Sequence, residues 1–391
     1  MRPVLMTREY PPEVYGGAGV HVEYLARELR ALCDAEVRCF GADRADALAF
    51  RPWDELTDAN QALQVMSVDL AMAADLGGAT LAHSHTWYAN FAGHVAKLLH
   101  GIPHVLTTHS LEPSRPWKEE QLGGGYRLSS FCERTAIEAA DAVIAVSRAM
   151  REDVLSAYPT LDPEKLHVIL NGIDTEQYRP DPGTDVLERF GVRPDEPLVV
   201  FVGRITRQKG IVHLAEAALA IDPSAQIVLA AGAPDTPELA KEMERRVERA
   251  RAERGNVVWI EQMLEKTEVI QLLSHATCFA CPSIYEPLGI VNLEAMACGA
   301  AVVATATGGI PEVVVDGETG LLVPFEPGDA VTREPADPAG FAREIAERVN
   351  RLVAEPSLAE RMGAAGRARA VEHFSWRRIA EETLALYESL V

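Results

Sequence analysis

The segment Glu286-Pro287-Leu288-Gly289-Ile290-Val291-Asn292-Leu293-Glu294 holds two carboxylates with seven residues between them. An apolar run precedes the first acid, and a proline and a glycine follow it closely. Glu286 therefore falls in a loop, and Glu294 one to two turns into a helix. The start of that helix offers free N–H groups and a positive dipole end, which suit an anion. Carboxylates beside an anion site suit a ligand that carries hydroxyls next to phosphates, because they accept strongly from sugar O–H groups. Glu294 lies among Val291, Leu293, Ala295 and Met296. A buried acid needs a partner, and a ligand hydroxyl is one.

A second cluster supplies the opposite charge. The loop Gly203-Arg204-Ile205-Thr206-Arg207-Gln208-Lys209-Gly210 joins an apolar strand to a helical pattern. Its terminal glycines allow close backbone approach, and Arg204 and Lys209 form a candidate diphosphate clamp. The loop is not a Walker A motif, since its lysine precedes the glycine and no Ser or Thr follows. Gly16-Gly17-Ala18-Gly19 opens the first helix without the G-x-G-x-x-G spacing of a dinucleotide site. His109 ends another apolar strand and can donate a hydrogen bond to a ligand. Thr307-Gly308-Gly309-Ile310-Pro311-Glu312 follows a later strand. His83-Ser84-His85 is read as turning its two rings to opposite faces, which excludes joint metal ligation. No D-x-D triplet occurs, so the divalent-metal clamp of many nucleotide-sugar enzymes is not expected and the two cations take its place.

These groups need a scaffold that gathers strand ends. Short apolar runs alternate with turns and amphipathic helical patterns, which predicts an α/β fold with parallel sheets covered by helices. The rhythm stops at Asn171-Gly172-Ile173-Asp174 and Arg179-Pro180-Asp181-Pro182-Gly183, then restarts. Two doubly wound, Rossmann-like domains are therefore expected, residues 1–172 and 173–375, with ligands outside the carboxyl ends of their strands and a cleft where the domains face. Trp376 to Val391 reads as an amphipathic helix beyond the second domain.

The chain has 391 residues, 48% of them hydrophobic, and a net charge of −21. That charge opposes nucleic acid and anionic lipid as partners. Neither a secretory leader nor a membrane-spanning run is apparent, and six scattered cysteines suit a reducing cytoplasm. Cys278 and Cys281 sit in an apolar stretch and read as structural thiols. A homodimer is the prior for oligomeric state.

The ordered set Gly16–Gly19, His109, Arg204 with Lys209, Glu286 with Glu294, and Thr307–Glu312 resembles glycosyltransferase family 4, of GT-B fold. The opening Thr7-Arg8-Glu9-Tyr10-Pro11-Pro12-Glu13-Val14-Tyr15-Gly16-Gly17-Ala18-Gly19-Val20-His21 is similar to the actinobacterial glycogen synthases, a branch that includes α-maltose-1-phosphate synthases. The resemblance implies retaining transfer of glucose from a nucleotide diphosphate glucose, with ADP-glucose as donor and no metal. It implies that Arg204 and Lys209 neutralise the leaving diphosphate. Glu286 would hold donor-sugar hydroxyls, Glu294 the ribose, and the amides of Leu288, Gly289 and Ile290 the sugar and phosphate. His109 would contact the donor sugar near the reacting centre, and Gly16 and Gly17 would approach the diphosphate. It also implies that the helix 376–391 crosses back to the first domain.

For the acceptor, Arg115 and Lys118 follow His109 and suit glucose 1-phosphate, whereas a glucan wants exposed aromatics and aromatics are 6% of the chain. Glycogen as acceptor, transfer of mannose or N-acetylglucosamine from UDP or GDP donors, nucleotide-sugar epimerisation, and non-catalytic binding stay open.

Overall fold

The computed structural model describes residues 1–391 except 15, 116–118, 120–122, 330 and 331. The chain forms two units, Met1–Gly172 with Trp376–Val391, and Ile173–Ser375.

Unit 1 is built on a sheet of seven parallel strands in the order β3-β2-β1-β4-β5-β6-β7. They are β1 (Pro3–Thr7), β2 (Glu36–Phe40), β3 (Leu48–Phe50), β4 (Leu81–His85), β5 (His104–Thr108), β6 (Ala142–Ala145) and β7 (Leu166–Val168). Helices α1 (Gly17–Arg30), α2 (Gln61–Ala74), α3 (Trp87–His100), α4 (Gly125–Ala139) and α5 (Arg148–Ala157) connect them. β1, β4, β5 and β6 are buried along their whole length, as expected of parallel strands covered on both faces. The order in which strands are added reverses between β1 and β4, the switch point of an open parallel sheet. His85, His109 and the glycine turn all lie at the carboxyl ends of these central strands.

Unit 2 repeats the plan with six strands in the order β10-β9-β8-β11-β12-β13. They are β8 (Leu198–Arg204), β9 (Gln226–Gly232), β10 (Val257–Ile260), β11 (Cys278–Cys281), β12 (Ala301–Thr305) and β13 (Gly320–Val323). Its helices are α6 (Asp185–Arg189), α7 (Ile211–Ala217), α8 (Pro237–Arg254), α9 (Lys266–Ser274), α10 (Ile290–Ala297), α11 (Ile310–Val313), α12 (Pro338–Ala354) and α13 (Pro356–His373). The switch point lies between β8 and β11, whose following loops carry Lys209 and Glu286. Cys278 and Cys281 are buried free thiols on β11.

The last helix, α14 (Trp376–Glu388), packs on α1 within unit 1. Trp376, Ile379, Ala380, Leu386 and Tyr387 join the apolar cluster of α1 and β1. Trp376 stacks on Tyr24, with ring centroids 5.7 Å apart. Gly172 has no side chain because an added Cβ would lie 2.7 Å from the Trp376 ring. Tyr387 is buried and its hydroxyl meets His83 Nδ1 at 2.5 Å. The helix is thus held by an aromatic stack and a buried polar contact as well as by apolar area. Among the described residues, no helix is long and apolar enough to cross a membrane.

One buried group opposes this packing. Asp69 on α2 is wholly buried, and neither carboxylate oxygen has a hydrogen-bond partner among the described residues. Burial pushes its pKa well above the ordinary value. A carboxyl raised in this way weakens the fold progressively as pH climbs above its unfolded value. Asp69→Asn should remove that slope. Urea unfolding near pH 5 and pH 8 should show the variant gaining about 1–3 kcal/mol on the parent at the higher pH, and much less at the lower.

Candidate active site

In unit 2 two loops that leave adjacent strands are locked together. The loop after β8 folds back so that Thr206 Oγ1 accepts from the Lys209 N–H at 3.1 Å, and the Gln208 carbonyl accepts from the Ile284 N–H at 2.9 Å. Lys209 Nζ then reaches Glu286 Oε2 at 2.7 Å, and Ser283 Oγ donates to the same oxygen at 3.2 Å. Burial pulls the Lys209 pKa down, but the Glu286 carboxylate more than offsets it, and the ammonium stays charged with a raised pKa. Arg204 ends β8, half exposed, 3.6 Å from Asp235. The structure therefore brings Lys209 and Glu286 together as an ion pair and leaves Arg204 half exposed beside Asp235.

The Thr307–Glu312 turn supports Glu286 from the other side. The Glu286 carbonyl accepts from the Gly309 N–H at 3.0 Å, and a Cβ on Gly308 would lie 2.0 Å from that carbonyl oxygen. Only glycine fits there, and its φ of +52° adds the same demand. Leu288 is buried. Gly289 is the N-cap of α10 at φ +96° and Ile290 is its first residue, with no side-chain cap and no acid in the first turn. The amides at a helix start without a side-chain cap suit an anion. Glu294 lies one turn on, on the less buried face of α10 that Ile290 and Val291 share. Burial pushes its carboxyl up to about 7, against a hydrogen bond from Tyr178.

Unit 1 gathers imidazoles. His109 is only partly buried, and its Nε2 lies 3.1 Å from His85 Nδ1. His21, on α1, sits edge-on to His109 with centroids 4.7 Å apart, and its Nδ1 meets Asn171 Oδ1 at 2.7 Å. Burial lowers all three pKa values, that of His21 to about 4, so the rings are neutral at pH 7. One nitrogen from each of His21, His85 and His109 lies within 4.8 Å of the others. This is the group best placed to hold a metal among the described residues, and it includes no carboxylate.

The expectation that His83 and His85 face opposite ways is wrong. Residues two apart on a strand share a face, and the two rings lie 4.2 Å apart. His83 is spent on Tyr387 and Thr107.

Gly16 caps α1, its N–H donating to Glu9 Oε2 at 2.8 Å, and Gly17 is the exposed first residue of that helix. Arg115 lies 3.1 Å from Glu112, a wholly buried acid that also accepts from Ser129 at 2.6 Å. Glu112 in turn donates its N–H to Glu133, which burial and the nearby Glu112 push up to about 7. Arg115 thus neutralises an internal carboxylate. Lys118 lies outside the described residues.

Two family models match the chain. "Glycosyltransferase Family 4" covers residues 15–177 and "Glycosyl transferases group 1" covers residues 185–369. The α-maltose-1-phosphate synthase of Mycolicibacterium smegmatis is 56% identical over 393 residues, covering all of both chains. The chain belongs to glycosyltransferase family 4. The α-maltose-1-phosphate synthase of Mycobacterium tuberculosis is 55% identical over the same full lengths. Sucrose-phosphate synthase from Thermosynechococcus elongatus superposes with a TM-score of 0.76 at 25% identity, over 100% of this chain and 99% of that one. The fold of this glycosyltransferase is GT-B.

Sequence reasoning missed several groups in the glycosyltransferase. His21 and Asn171 lie 150 positions apart, and only the fold joins them. Pro327 bridges to Pro335, Glu334 lies 3.1 Å from His213, and Arg333 lies over the Tyr285 ring at 5.1 Å.

The Lys209–Glu286 pair can be tested by a double-mutant cycle. Lys209→Met should cost about 3 kcal/mol by leaving a largely buried carboxylate without its cation. Adding Glu286→Leu should recover most of that loss in urea unfolding.

Proposed function

We propose that this glycosyltransferase moves glucose from ADP-glucose to glucose 1-phosphate with retention of configuration, forming α-maltose 1-phosphate. The observation that carries the reading is the end-to-end identity of 55–56% to two α-maltose-1-phosphate synthases. The unit 2 site supports it chemically. Cations and unoccupied helix amides stand beside carboxylates, a combination that suits a ligand with both phosphate and hydroxyl groups.

In this reading Arg204, Lys209 and the amides from Leu288 to Ile290 take the negative charge that grows on the diphosphate as the C1–O bond breaks. Glu286 accepts from donor-sugar hydroxyls and Glu294 from the ribose. His109, neutral, contacts the donor sugar. Retention follows in this scheme from same-face attack: the acceptor O4 attacks C1 on the face that the diphosphate leaves. Its proton passes to the departing phosphate oxygen, and ADP is released. No metal is required in this scheme.

A panel of ADP-, UDP- and GDP-glucose against glucose 1-phosphate and glycogen, read by mass spectrometry, tests the assignment. A disaccharide phosphate from ADP-glucose is expected. Elongation of glycogen with no turnover of glucose 1-phosphate would sink it. Glu286→Ala and Lys209→Ala should each lower kcat/KM at least a hundredfold.

Glu294 adds a pH signature. Its carboxyl ionises near 7, and the ionised form is the better hydroxyl acceptor. The KM for donor should fall as pH rises through about 7 in the parent and stay flat in Glu294→Gln.

A further inference from the structure

The proposed acceptor is an anion, yet of the two cations assigned to it after β5 one is already spoken for and the other, Lys118, lies outside the described residues. Arg115 is paired with the buried Glu112. The carboxyl edge of the unit 1 sheet holds another arginine that is not.

Arg8 follows β1 directly. Its guanidinium carbon lies 4.2 Å from the centroid of the Tyr88 ring, at the start of α3. Among the described residues Arg8 makes no ion pair and no hydrogen bond. The nearest acid along the chain, Glu9, accepts from the Gly16 N–H. The first turn of α3 carries no acidic side chain. Other arginines also lack a carboxylate partner; what sets Arg8 apart is its place directly after a central strand of the sheet and on an aromatic ring. Stacking on an aromatic face holds the guanidinium plane while leaving its donors free, and that fork matches a phosphate.

Register places this cation relative to His109. Met6 pairs with Ser84, and His85 pairs with Thr107. Arg8 is the first residue after β1 and His109 the first after β5, and β4 alone lies between those strands. Two interstrand spacings, about 10 Å, thus separate the strand ends that carry them. A phosphate held at Arg8 leaves room for one hexose ring between it and the His109 end of the row.

We propose that Arg8, held in place by Tyr88, binds the phosphate of the acceptor and makes the enzyme select a sugar phosphate. This rests on the acceptor assigned under Proposed function. An unphosphorylated glucan has no use for such a cation.

The test is steady-state kinetics with ADP-glucose and glucose 1-phosphate on the full chain. Arg8→Gln should raise the KM for glucose 1-phosphate roughly ten- to hundredfold, the range of a lost charge-assisted bond, while the KM for ADP-glucose holds. Arg8→Lys keeps the charge but loses the planar fork, and should fall between. Tyr88→Phe keeps the ring and should match the parent, whereas Tyr88→Leu should raise the acceptor KM severalfold. If Arg8→Gln does not fold, the lysine and leucine variants decide the matter by the same KM. An unchanged acceptor KM, or equal rises in donor and acceptor KM, overturns the proposal. Absence of turnover with glucose 1-phosphate in the parent overturns the acceptor assignment itself, and is seen before any variant is made.

Discussion

The Lys209–Glu286 pair, closed at 2.7 Å, is the contact on which the unit 2 site is organised. Neither side chain can be buried alone at acceptable cost, and each makes the other's burial possible. The pair ties the loop after β8 to the loop after β11, so the strand order of the sheet and the geometry of the site are one constraint. Thr206, Ser283 and the Gly308–Gly309 turn then serve the pair by fixing the backbone on either side of it. A site held in this way presents a cation and an acid side by side before any ligand arrives, the preorganisation that charge stabilisation in a transition state requires.

Unit 1 solves a different problem. Its sheet edge gathers imidazoles with no carboxylate in the group, so the rings stay neutral and exchange hydrogen bonds. His21, His85 and His109 interlock, and the outer contacts fall on Asn171 at the end of unit 1 and on Trp376 at the start of the last helix. The helix that returns from unit 2 is therefore part of the wall behind His109. Charge in this unit is kept away from the histidines and handled elsewhere, by Arg115 against Glu112 and by Arg8 on Tyr88.

The two units share one logic. A parallel sheet covered on both faces leaves its strand ends as the place where polar groups of distant segments meet water and ligand. A strongly acidic chain can thereby still offer candidate anion sites. A few cations are concentrated at those ends, while many acids are paired internally or spread over helix faces such as α8, where Arg246 meets Glu242 and Arg249 meets Glu253.

By itself the sequence determined the alternation of strand and helix, the break near residue 172, and the local motifs around Gly16, His109, Lys209 and Glu286. These are readable because hydrophobic period, turn chemistry and helix starts are set within a few neighbours. Only the tertiary structure decided which charges are spent and which are free. Arg115 and Arg8 look alike as letters, yet one neutralises a buried glutamate and the other, among the described residues, has only an aromatic ring beside it. His83 and His85 share a strand face, yet the first is held by a tyrosine 304 positions away and the second by His109. Such outcomes turn on partners brought together by β-strand order and helix return. No spacing rule along the chain encodes them, because the energies of buried polar groups depend on contacts between residues far apart in sequence.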